Sequence, residues 1–172
     1  WHDQWFGAGT SVRDYYQQAS GGKLQVTPAA ESSGTPNDGI IDWVTLSRNH
    51  PNFGLGNGPA DDLILQKLVK EAIVATDGVV DYDAYDRNDD GLLFPNELHL
   101  VVVTAGYESS LSTACGKNLW AHRSGTGAEV ATVDGTTVGD VGQVVDVRRH
   151  APVRPLDLRP HPLEVRRTAG DE

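Results

Sequence analysis

Asp86, Asn88, Asp90, Gly91 and Glu97 fall within the stretch DRNDDGLLFPNE at the spacing D-x-[DN]-x-[DN]-G-x5-E, the pattern of a calcium-binding loop. Calcium is a hard cation that takes six to eight oxygen ligands at roughly 2.3–2.6 Å. Short oxygen-bearing side chains on alternate residues can converge on one point only if the chain curls, and Gly91 permits the curl. The carbonyl of Leu92 would add a ligand, and Glu97 would close the site with both its oxygens. Phe94 stands where a ligand often acts through water, so a water there would lack side-chain support. Asp81 and Asp83 add outer charge. The same residues also suit an Asp-rich solvated turn, and calcium alone names no function.

No catalytic set is legible from the residues. GLGNGP at 54–59 enters a helix like a phosphate cradle, but Pro59 replaces the third glycine, no lysine follows, and Asp61 and Asp62 would repel phosphate. His2, His50, His99, His122, His150 and His161 form no His-x-x-x-His pair and no Cys/His spacing, so they show no zinc site. Cys115 has no neighbouring base, no internal disulfide partner and no Gly-x-Ser-x-Gly elbow to substitute for it.

The elements that must position the loop can be read in outline. Residues 11–20, SVRDYYQQAS, predict a short helix capped by Thr10 or Ser11 and ended by Gly21 and Gly22. KLQVT at 23–27 and IIDWVTL at 40–46 predict strands, with a loop at 31–39 between them and another at 49–58. The strongest helix runs from Pro59 to about Thr76, with Asp61 and Asp62 at its positive end and Ile64, Leu65, Leu68, Ala72 and Ile73 along one stripe. Residues 98–105 predict a buried strand, where a helix–loop–helix calcium hand would continue as a helix. A further strand is expected over 118–122, and a hairpin over 129–138 turning at Asp134-Gly135.

The 172 residues suit one domain, or one plus a fragment of another. Hydrophobic content of 38% reads as globular. A net charge of −10 argues against a nucleic-acid surface or an anionic membrane, and no apolar run is long enough for a membrane span. The chain opens on Trp1 and lacks Met, the pattern expected of an internal fragment or a processed form. Up to residue 147 it carries 8 basic against 20 acidic residues; beyond, 6 against 4. That last stretch holds six of the ten arginines and four of the nine prolines without clear periodicity. Residues 141–172 therefore read as a disordered tail or as a continuation foreign to the domain, of the kind a shifted reading frame gives.

SVRDYYQQASGGKLQV at 11–26 resembles a segment of the immune inhibitor A-like secreted bacterial metalloproteases. DYDAYDRNDDG, HLVVVTAGYE, LWAHRS and VDGTTVGD, ending at residue 140, follow in the order that family shows. The resemblance implies the N-terminal part of a zincin-like protease domain over 1–140: an α/β fold with a mixed twisted sheet, packed helices and the calcium loop at 86–97. It also implies an exported, calcium-stabilised zinc endopeptidase acting on proteins or peptides. In such enzymes two histidines of His-Glu-x-x-His bind zinc and the glutamate serves as base. The family places that helix after the pieces found here, and no His-Glu-x-x-His occurs in the 172 residues. No catalytic residue can be carried over, so the expectation is a truncated enzyme, inactive alone. The alternatives are a non-catalytic extracellular calcium-binding module and a degenerate family member that binds a partner.

Overall fold

The computed structural model describes residues 1–51, 59–108, 118–119, 122–124, 130–138 and 143–148. The chain begins with two short helices, α1 (His2–Phe6) and α2 (Val12–Ala19). Ser11 caps α2, its hydroxyl accepting from the Asp14 amide at 3.2 Å. This satisfies a backbone donor that the first helical turn leaves open. The helix ends at Ser20 and the glycine pair, as its sequence predicts.

The long helix α3 (Pro59–Thr76) forms where its proline start and apolar stripe place it. Leu65, Leu68, Val69 and Ile73 are buried, with Ile64 packed beside them. A 3-10 turn (Asp83–Tyr85) leads to the Asp-rich loop and to β1 (Leu92–Leu93). β2 (Val101–Ala105) and β3 (Tyr107–Glu108) come next, then β4 (Asn118–Leu119) and β5 (His122–Ser124). The hairpin of β6 (Ala131–Val133) and β7 (Thr136–Val138) precedes β8 (Gln143–Arg148).

The architecture is mixed α/β. The described strands fall into two three-stranded sheets, in the orders β1-β7-β6 and β2-β8-β5, and a β3-β4 pair. β1 runs parallel to β7, and β7 antiparallel to β6. β2 runs parallel to β8, with Val101 opposite Val144 and Ala105 opposite Arg148, while β5 runs antiparallel to β8. Parallel and antiparallel pairings thus occur together, the mixed strand directions that the sequence predicts.

The β6–β7 hairpin turns where the sequence predicts, with Asp134 at φ 49° and Gly135 at φ 82°. Two consecutive positive φ values match the twist of the flanking strands, and a glycine at the second takes that angle without a Cβ penalty. Burial alternates along β6, so Ala131 and Val133 face inward while Thr132 does not. α3 packs against β6, and the core joins its stripe to Val80, Tyr82, Leu93, Leu98, Leu119, Ala131, Val133 and Val138.

Three expectations are corrected. Residues 23–27 and 40–46 form no strand. β-branched and aromatic residues favour a strand only where neighbours cover a pleated surface, and Trp43 is 66% exposed. Around the second segment side chains take the amides instead. Glu31 accepts from Ser33 and Asp38, Asp38 from Ile40, and Ser33 from Asp42, at 2.6–3.1 Å. The strand expected over 98–105 starts only at Val101, because the Phe94 carbonyl first closes a turn on the Glu97 and Leu98 amides. The strand expected over 118–122 is split between β4, which pairs with β3, and β5, which pairs with β8. β8 occupies a stretch read as tail and lies in the middle of its sheet. The loop at 52–58, Cys115 and residues 149–172 lie outside the described residues.

Tyr82 is buried at 1% exposure, its hydroxyl 2.7 Å from Thr76 Oγ1 and its amide donating to Asp134 Oδ2 at 3.0 Å. Burial pushes its phenol above the ordinary value; the Thr76 hydrogen bond works against this, and Asp77 and Asp134 add to it. A folded-state value above the unfolded one leaves stability intact below the unfolded value, about pH 10, and removes it as pH rises further. Tyr82→Phe is expected to cost about 1 kcal/mol at neutral pH and to flatten the alkaline fall of the melting temperature, as read by thermal melts from pH 8 to 11. Leu65→Ala, at a site 1% exposed, is expected to cost about 2–5 kcal/mol in denaturant titrations.

Candidate functional site

The Asp-rich loop is hung between α3 and β2 with its far end tied to the hairpin. Gly91 carries φ 76°, open space surrounds the position of a Cβ there, and its carbonyl accepts from Thr137 N at 2.8 Å. The glycine is therefore required by backbone conformation rather than by crowding. Leu92, whose carbonyl the sequence nominates as a ligand, lies in β1 opposite Thr137.

Within the loop each nominated side chain grips the chain itself. Asp86 accepts from Asp90 N at 3.3 Å through Oδ1 and from Gly91 N at 2.7 Å through Oδ2. Asn88 Oδ1 accepts from Asp90 N at 3.2 Å, and its amide donates to Asp90 Oδ2 at 2.9 Å. Asp90 Oδ1 accepts from Leu92 N at 2.9 Å. Glu97 bridges the two ends, accepting from Arg87 N and Phe94 N, both at 3.2 Å. Amide donors around a carboxylate stabilise its charged form. The structure thus brings Asp86, Asn88, Asp90, Leu92 and Glu97 onto one curled segment. Among the described residues no group of three or more histidine, cysteine, aspartate or glutamate side chains stands close enough to hold a metal ion.

Of the outer acids, Asp83 Oδ1 accepts from Thr136 Oγ1 at 3.0 Å, which ties the loop's approach to β7. Two polar anchors escaped the sequence reading. Glu31 is only 6% exposed and organises the 31–38 loop through two amides; its position just before the Ser-Ser-Gly-Thr-Pro turn residues was the available signal. His50 places Nδ1 2.6 Å from the Pro51 carbonyl and Nε2 2.7 Å from the Ala105 carbonyl, linking the 46–51 segment to the end of β2. That long-range contact has no sequence signature.

His2 lies beside Asp3 at 3.5 Å, His50 is engaged by carbonyls, and His99 is exposed. The chain belongs to the immune inhibitor A peptidase M6 family, whose catalytic-domain model matches residues 7–151. No curated protein and no solved structure matches it. The family implies protein substrates and, in the intact enzyme, zinc. Among the described residues no ligand group for zinc stands together, and the sequence holds no His-Glu-x-x-His. No helix among the described residues is long and apolar enough to cross a membrane.

Because Glu97 accepts from amides at both ends of the loop, Glu97→Ala is expected to free the amides of Arg87 and Phe94. Hydrogen exchange should accelerate about tenfold across 86–94, since the bonds lost are charge-assisted and each contributes on the order of 1–2 kcal/mol. Exchange in α3 should be unchanged.

Proposed function

We propose that this chain is the part of a secreted zinc endopeptidase's catalytic domain that precedes the zinc-binding helix, and that alone it does not hydrolyse peptides. The observation that carries the reading is a catalytic-domain match over 7–151 in a chain without His-Glu-x-x-His. Hydrolysis of an amide by this route needs a metal-activated water and a base aligned with it, and no residue in the chain is assigned either role.

Calcium at 86–97 forms the second element of the proposal, with Asp86, Asn88, Asp90, the Leu92 carbonyl and Glu97 as ligands. Their spacing and the left-handed Gly91 support it. Binding would require the carboxylates to exchange main-chain amides for the ion. It would stabilise the segment against local opening and contribute no chemistry. In this reading the folded body includes β8.

A second reading, a non-catalytic extracellular calcium-binding module, is favoured by one observation: the loop is the sole complete chemical motif in the sequence. A His-Glu-x-x-His downstream in any reading frame of the surrounding gene decides for the first reading; its lack decides for the second.

The test is elemental analysis of the dialysed chain, with melts in EDTA, calcium and zinc and an assay on a protein substrate. About one calcium per chain is expected, with a melting temperature several degrees higher in calcium than in EDTA and no hydrolysis with zinc added. Stoichiometric zinc with zinc-dependent hydrolysis would overturn the proposal.

A further inference from the structure

Among the described residues, 1–28 contribute no side chain to the core. The buried cluster and the apolar residues packed against it begin at Ala29. α1 and α2 pack against each other, and neither carries a buried residue. Tyr15 and Tyr16 of α2 are exposed and stack edge-to-face at 5.3 Å between ring centroids. The first 20 residues are thus a helical arm attached to the body rather than a layer of it.

The connection is an exposed strap. After α2 the chain passes Gly21 and Gly22, at φ 62° and 80°, and continues through Lys23, Leu24 and Gln25, all exposed. The Lys23 and Leu24 amides reach back to Ser20. Among the described residues the next backbone amide to be engaged is that of Ala30, by the Tyr85 hydroxyl at 2.5 Å. Four residues, 25–28, therefore carry no hydrogen bond among the described residues. They lie between a glycine hinge on one side and the first core anchor on the other.

We propose that residues 21–27 are a proteolytic processing site, taken by an endopeptidase that accepts lysine before the scissile bond, and that cutting there detaches the helical arm from an intact body. An endopeptidase must bind several residues of substrate in extended form. Residues 21–24 are exposed and their amides are held only by the last turn of α2, so the segment reaches that form by opening one terminal turn, whereas the interior of a helix must open several. The step is amide hydrolysis: water adds across the Lys23–Leu24 bond, leaving a carboxylate on Lys23 and a new amine on Leu24.

Four lysines make the experiment selective, because the arginines of the last 25 residues are not cut by a lysine-specific endopeptidase. The others are Lys67 and Lys70 within α3, and Lys117. Brief digestion of the full chain, followed by intact mass measurement, is expected to give 1–23 and 24–172 first. The rate at Lys23 should exceed that at any other lysine by at least about tenfold. The 24–172 product, kept in native buffer, is expected to retain a cooperative melt. A first cut after Lys67, Lys70 or Lys117 would overturn the site. A cut at Lys23 followed by loss of the cooperative melt would overturn the separability of the arm. Lys23→Arg, digested with an arginine-specific endopeptidase, supplies the control: a cut at position 23 should outpace cuts at Arg13, Arg48 and Arg87, and failure to do so counts against the proposal.

Discussion

The contact between α3 and the β6–β7 hairpin is the constraint on which the described body depends. Leu65, Leu68, Val69 and Ile73 supply one side, and Ala131, Val133 and Val138 the other. These partners lie some sixty residues apart in sequence, so the chain between them must close a long loop before the contact forms. Loop closure grows only slowly in cost with length, and seven buried apolar side chains at about 1.5–3 kcal/mol each offset it for the larger residues. With that contact in place, Leu93 inside the Asp-rich loop and Leu98 just after it have a surface to bury against.

Polar contacts then fix the register of what the apolar core gathers. Asp134 serves twice, as a positive-φ turn residue and as acceptor for the Tyr82 amide. Thr136 donates to Asp83, and Thr137 donates to the Gly91 carbonyl. The approach to the loop and its exit are therefore both tied to the same hairpin. A loop of four acids in twelve residues repels itself. Its own amides, turned inward on Asp86, Asp90 and Glu97, offset part of that repulsion.

What the sequence determined by itself was local. The Ser11 cap and glycine stop of α2, the proline start and apolar stripe of α3, the Asp134-Gly135 turn and the curl at Gly91 each follow from a few neighbouring residues, and each is found. Membership of the family was legible too, in short motifs in a fixed order. Tertiary structure decided the pairings. IIDWVTL has strand-forming residues but no described strand beside it, while QVVDVR, masked by a composition shift toward arginine and proline, lies in the middle of a sheet. The reason is that a strand is completed by hydrogen bonds to a partner far along the chain, which no local pattern specifies. A helix and a turn close their bonds within four residues and so can be read directly.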